Sequence, residues 1–257
     1  MLEGYEREVF AAPDKTGRVL THDVYTQGMG PVVVIIQELP GIGEETLALA
    51  DSFRARGFSV VLPHLFGPLG RTSMVGNLAR VTCMWRELGL FRTGGSSPVV
   101  TWLRALCQSL RKERGVEGVG VIGMCLTGSF AWSLMADESV LAGVASQPSA
   151  PLHHQRALQI SDSDAQIVKS RLDEVGPMMA LRFDGDRLCT AARFEALDAR
   201  FNQGAERVRM RTLPGRGHSV LTLDFVDEAG HPTREALDEV LDYFEEVLRP
   251  GAVGERP

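Results

Sequence analysis

No apolar stretch in this sequence reaches the length of about 20 residues that a membrane-spanning helix needs. The first eight residues are mostly charged and lack the apolar centre of a secretory leader. These absences lead to the expectation of a cytoplasmic protein that does not act at a membrane. Cysteine is scarce, with only four: Cys83, Cys107, Cys125 and Cys189. They are widely spaced, with no CxxC pair and no zinc-ligand spacing, so a disulfide framework and a zinc site are both excluded. No metal and no cofactor are expected. Basic charge is not in excess either: 27 Lys and Arg stand against 33 Asp and Glu, a net charge of -6. That balance argues against nucleic acid as a partner. Internal repeats, low-complexity tracts and linkers are missing as well. The chain therefore reads as one domain, 1–257, with residues 69–96 as a candidate cap.

What is present is an alternation of short apolar runs with helical patterns. Residues 6–11 and 18–25, separated by a turn containing Pro13 and Gly17, read as two antiparallel strands. Val32-Val33-Val34-Ile35-Ile36 is continuous and β-branched, as expected of a parallel strand covered on both faces. Further strands are expected at 58–62, 118–122, 141–146, 178–183 and 206–213. Helices are expected at 44–56, 69–93, 98–113, 129–136, 161–174, 191–202 and 233–248. Such alternation specifies a mainly parallel central sheet with helices on both faces.

The strongest local signal is the junction at Gly123-Met124-Cys125-Leu126-Thr127-Gly128. A buried strand ends, one residue occupies a sharp turn, and an apolar helix begins at once. This is the pattern of the nucleophile elbow, usually written G-x-S-x-G, and it points to the α/β-hydrolase fold. Cys125 stands where the serine would be, at a helix N-terminus whose dipole favours a thiolate. The β-branched Thr127 at the second small position leads to an expectation of looser packing there or a slightly shifted helix. Taken alone, Cys125 could equally be a buried strand-end thiol.

In this fold the partners follow in the order nucleophile, acid, histidine. Asp186 lies just after the strand at 178–183, with Asp184 as a rival acid in the same turn. His218 lies in a Gly- and Pro-containing loop after the strand at 206–213. Each has an alternative reading, as a turn former for the aspartates and as a surface loop residue for the histidine. The three together at the expected strand ends point to nucleophilic catalysis.

With these motifs the chain resembles the dienelactone hydrolase family. The elbow nearly matches that family's G-x-C-x-G-G. Gln37-Glu38 matches its Q-E motif after the first central strand, Asp186 its acid turn, and Gly217-His218-Ser219 its histidine loop. The resemblance implies hydrolysis of a lactone or activated ester through an acyl-cysteine, with Cys125, His218 and Asp186 as the triad. It implies that Glu38 contacts the resting thiol and helps take its proton, and that the backbone N–H groups of Leu39 and Leu126 form the oxyanion hole. A thioesterase or general carboxylesterase, or a low-turnover receptor on the same fold, are the competing readings. The partner expected is a small-molecule lactone or ester, bound by a monomer or homodimer.

The family's anionic lactones are held partly by an arginine just after the histidine. Here Ser219-Val220-Leu221-Thr222-Leu223 follows instead, which leads to the expectation of an apolar wall and a neutral substrate. Arg86 and Arg92, with Arg80, are the substitutes for binding a carboxylate, or else a solvated helix face. His153-His154 lacks the company of a metal site, and Cys107 reads as core.

Overall fold

In the computed structural model, residues 2–39, 41–67, 69, 97–149 and 155–249 are described. The expected helix at 69–93 and the candidate cap, apart from Leu69, lie outside the described residues. So do Arg80, Arg86, Arg92, Cys83 and His153-His154.

Eight strands form one sheet. They are β1 (Glu6–Pro13), β2 (Val19–Gln27), β3 (Val32–Ile36), β4 (Ser59–His64), β5 (Val119–Met124), β6 (Val140–Ser146), β7 (Met178–Phe183) and β8 (Val208–Leu213). Their order across the sheet is β1-β2-β4-β3-β5-β6-β7-β8. β1 pairs with β2, and β2 with β4, in antiparallel fashion; every other neighbouring pair is parallel. The described helices are α1 (Glu44–Ala55), α2 (Pro98–Arg114), α3 (Gly128–Leu134), α4 (Asp162–Val175), α5 (Ala191–Phe201) and α6 (Pro232–Leu248).

The pleat of β3 shows how the layers are built. Val32, Val34 and Ile36 enter one core with Trp102 and Leu106 of α2, Trp132 of α3 and Phe201 of α5. Val33 and Ile35 enter a second core with Phe53 of α1 and Leu237, Val240 and Phe244 of α6. Alternate residues of one strand thus serve opposite faces, which is why the run must be apolar throughout. Burying each such side chain contributes about 1.5–3 kcal/mol.

Local signals set the helix ends. α2 has Pro at its start and stops at Gly115, whose φ is 61°. The Ser161 hydroxyl accepts the Asp164 N–H at 3.0 Å and caps α4.

The sheet order has one consequence for function. β3, β5, β6, β7 and β8 are adjacent and parallel, so their C-terminal ends lie along one edge. In open α/β sheets that edge is where ligands bind. Glu38, Cys125, the Gln147–Ser149 segment, Asp186 and His218 each follow one of these five strands.

Candidate active site

Cys125 opens a single 3-10 turn, Cys125–Thr127, between β5 and α3. Its φ is 54°, in the left-handed region, one of three such non-glycine residues among those described. Holding a side-chain-bearing residue there costs about 1–3 kcal/mol and persists only when the surroundings enforce it. Three features do so. A Cβ at Gly123 would sit 2.3 Å from the Thr127 carbonyl oxygen, so only glycine allows the turn to close. A Cβ at Gly128 would sit 2.6 Å from Pro148 Cα, so α3 can approach the loop after β6. The Thr127 hydroxyl accepts the Met124 N–H at 3.0 Å and faces the Gln37 carbonyl at 3.1 Å.

Of the two expectations at Thr127, looser packing is corrected, whereas the helix is shifted: α3 starts only at Gly128, one 3-10 turn after Cys125. The Thr127 side chain is buried and ties the elbow to the end of β3, while the small residue that α3 requires is Gly128. Gly123→Ala should destabilise the protein by roughly 1–3 kcal/mol, since backbone and not a flexible side chain blocks the new methyl. Thermal denaturation measures it; an unchanged Tm would show that the turn can spread.

The acid and histidine loops are pre-arranged. His218 Nδ1 lies 2.8 Å from Asp186 Oδ2, and the Asp186 side chain is fully buried. The other oxygen, Oδ1, accepts the N–H groups of Leu188 (2.7 Å) and Cys189 (3.0 Å). Asp184 is exposed and does other work: its Oδ1 accepts the Gly215 N–H at 2.9 Å, joining the acid loop to the histidine loop. Asp224, which the sequence reading did not single out, accepts the N–H groups of His218 and Ser219 at 2.7 and 2.9 Å.

Burial lowers the pKa of His218, but Asp186 and Cys125 more than offset it and raise the imidazole to about 10. Its Nε2 is buried and makes no hydrogen bond of good geometry, although the thiol is close enough to favour the charged ring. The ring is thus held by Asp186 on one side and left open on the other. The Cys125 sulfur instead lies 3.4 Å from the Ser149 hydroxyl.

Glu38 is 2% exposed. Burial raises its pKa, opposed by hydrogen bonds from Thr222, Ser219 and Gln147 and by the nearby His218. Ser219 Oγ donates to Glu38 Oε2 at 2.9 Å, Gln147 Nε2 does so at 3.4 Å, and Thr222 Oγ1 donates to Oε1. The resemblance placed this carboxyl against the thiol. Among the described hydrogen bonds it reaches instead to the histidine loop and to the residue after β6. Gln37 is a strut: its Oε1 accepts the Leu65 N–H at 2.9 Å and its Nε2 donates to the Phe66 carbonyl at 2.9 Å.

Leu126 and Leu39 follow Cys125 and Glu38 directly. Leu126 lies in the first turn of a helix, where backbone N–H groups have no partner within the helix.

The wall after His218 differs from the expectation. Val220 and Leu221 are buried in the core beneath α6, and Ser219 and Thr222 turn to Glu38. Only Leu223 of that segment is exposed, at 39%, alongside Leu188 of the acid loop at 42%. The apolar residues served the core and not a pocket wall.

Two buried arginines brace the loops. Arg182 Nη1 donates to the carbonyls of Phe183 (2.6 Å) and Cys189 (3.2 Å), spanning the acid loop. Arg193 is fully buried, stacks 5.3 Å from the Trp132 ring centroid, and donates from Nε to the Pro148 carbonyl at 3.2 Å. It also reaches the Ala157 carbonyl and, at 2.8 Å, Gln159 Oε1.

Cys107 is core in α2, its thiol pushed up to about 12 by burial, and burial also raises the Cys189 thiol. No cluster of metal-ligating side chains occurs among the described residues, and no helix among them is long and apolar enough to cross a membrane.

Comparison with known proteins bears on this arrangement. The chain aligns over 96% of its length with a cold-adapted esterase from an Arctic intertidal metagenomic library, covering 96% of that chain at 18% identity and a TM-score of 0.64. An esterase from Pyrococcus furiosus aligns over 95% of this chain and 93% of its own, at 13% identity and a TM-score of 0.61. A dienelactone hydrolase from Anabaena variabilis covers 96% of this chain and 100% of its own, at 14% identity and a TM-score of 0.59. At these identities the likeness establishes the α/β-hydrolase fold. No curated protein matches the chain by sequence. The sequence profile of the Dienelactone hydrolase family matches residues 20–248, and with β3 to α6 inside that span the chain belongs to this family of hydrolases.

Proposed function

We propose that the protein hydrolyses a lactone or activated ester through an acyl-cysteine formed on Cys125. The observation that carries this reading is the strained Cys125 facing a histidine whose far nitrogen is bound by a buried carboxylate.

The steps follow from that geometry. The Cys125 thiolate attacks the substrate carbonyl carbon, and the carbonyl electrons move to oxygen. The N–H groups of Leu126 and Leu39 receive this oxyanion. As the C–O bond breaks, the His218 imidazolium gives its proton to the departing alkoxide, leaving an acyl-cysteine. Water then gives a proton to His218 and attacks the thioester, and the thiolate departs. Asp186 fixes the tautomer and stabilises the charged ring. Glu38 holds the histidine loop through Ser219 and Thr222 and provides a second carboxyl at the site.

The substrate class follows from charge. Glu38 is paired with hydroxyls and an amide, with no Lys or Arg among its described partners. The segment after His218 supplies no cation. A substrate carboxylate in such a site would lack a partner among the described residues, and burying one unpaired costs several kcal/mol. The preferred substrate is therefore a neutral lactone or ester. Losing one charge-assisted contact weakens recognition of a carboxylated substrate by about 1.5–3 kcal/mol, or roughly ten- to a hundredfold. The test is kcat/KM for a carboxylated lactone against its methyl ester. The ester should be favoured by about that factor; preference for the free acid would refute the neutral-substrate reading and direct attention to Arg86 and Arg92.

A further inference from the structure

The segment after β6 is unusual. Gln147 is fully buried and has a φ of 36°, a region that side chains rarely adopt. Its amide reaches Glu38, and its own N–H donates to the Leu181 carbonyl at 2.7 Å. Two residues later the Ser149 N–H donates to the Cys125 carbonyl at 2.9 Å. Between them, the Pro148 carbonyl is held by buried Arg193. A three-residue segment is thus pinned from four directions, and the side chain it presents to the sulfur is the Ser149 hydroxyl, 3.4 Å away and 7% exposed.

We propose that Ser149 is a positioning residue whose hydroxyl donates a hydrogen bond to the Cys125 thiolate and holds it in line for attack. This rests on the reading of Cys125 as the nucleophile. A hydrogen bond to the charged form of a group favours that form. The thiolate then has two partners, the imidazolium and a fixed neutral donor. The neutral donor has a purpose of its own. When His218 gives up its proton to the leaving group, the Ser149 contact does not change, so the sulfur keeps its orientation through both halves of the reaction.

Among the described residues, the titratable groups of the site are His218 after β8, with Asp186 behind it after β7, Glu38 after β3, and Cys189 at the entry to α5. Arg193 stands behind the serine segment. Ser149→Ala alters none of them, so a change in the behaviour of the thiol reports the hydroxyl itself.

The test is the rate of Cys125 alkylation by iodoacetamide as a function of pH, resolved by peptide mass spectrometry on the full-length protein. The sulfur displaces iodide and forms the S–C bond only as the thiolate, so the midpoint of the profile reads its formation. In Ser149→Ala the midpoint should rise by about one pH unit, equivalent to roughly tenfold less thiolate below it. Ser149→Thr, which keeps the hydroxyl, should restore it. In parallel, kcat/KM for a neutral aryl ester should fall about tenfold at neutral pH and recover at higher pH, with KM little changed. A midpoint that is unmoved or lowered in Ser149→Ala, or a threonine variant that behaves like the alanine one, would overturn the proposal. Because alkylation is read without turnover, failure here is separate from failure of the nucleophile assignment, which Cys125→Ala tests.

Discussion

Cys125→Ala should lose essentially all hydrolysis, on the order of 10⁶ in kcat by comparison with the loss of a nucleophile from a triad. The fold should survive. The residue is small, its carbonyl keeps the Ser149 N–H, and alanine removes only the sulfur. The Ser149 N–H to residue 125 carbonyl bond and the Thr127 hydroxyl lock are untouched by the change. Circular dichroism and thermal unfolding establish folding, and turnover of a neutral aryl ester establishes activity. Alanine at Cys107 or Cys189 should leave kcat within a few-fold, although both are fully buried and their loss should lower Tm. Burial holds both thiols protonated, which removes them as rival nucleophiles. Substantial turnover in Cys125→Ala would end the acyl-cysteine mechanism.

Asp186→Asn should cost on the order of 10⁴ in kcat, whereas Asp184→Asn should cost less than about tenfold. The two aspartates share one turn but not one task. Asp186 is buried with both oxygens engaged, one by His218 and the other by two backbone N–H groups. An asparagine there must keep its oxygen toward the backbone donors, which turns its NH₂ toward His218 Nδ1. The ring is then driven to the wrong tautomer and its charged form loses its partner. At Asp184 a single oxygen accepts the Gly215 N–H in an exposed setting, and an asparagine oxygen can replace it. Steady-state kinetics on the two variants decide the matter. If Asp184→Asn is the worse enzyme, the acid has been misassigned.

Much of this arrangement is legible in the sequence because its cues are local. The β-branched run at β3, the glycine before Cys125, the turn after β7 and the glycine-rich loop before His218 each declare a strand end within a few residues. The order of strands along the chain then places all of them on one edge. Other parts are not legible, because they depend on contacts between distant segments. Ser149 sits 24 residues from Cys125, and Glu38 meets Ser219 across 181 residues. Nothing in a Gln-Pro-Ser triplet announces that its hydroxyl will meet a sulfur. The apolar residues after His218 misled for a related reason. Val220 and Leu221 carry no sign of whether they face a pocket or α6, and the turn that carries them settles it. Thr127 misled by type: its β-branch suggested poor packing, whereas its hydroxyl is what the elbow uses.

The two buried arginines bear on how the site responds to acid. Arg182 and Arg193 brace the loops that carry Asp186 and Ser149, and the acceptors described for both are peptide carbonyls together with one side-chain amide. Carbonyls and amides have no proton to gain in the range where carboxylates titrate. A brace built on Asp or Glu would release its loop on acidification, and the site would be lost with the local fold. The two arginine braces therefore have no titrating acceptor, whereas the histidine loop is tied down by the carboxylates of Glu38, Asp184 and Asp224. Protonation of Glu38 thus loosens the histidine loop through Ser219 and Thr222, while the segments that carry Asp186 and Ser149 keep their arginine braces.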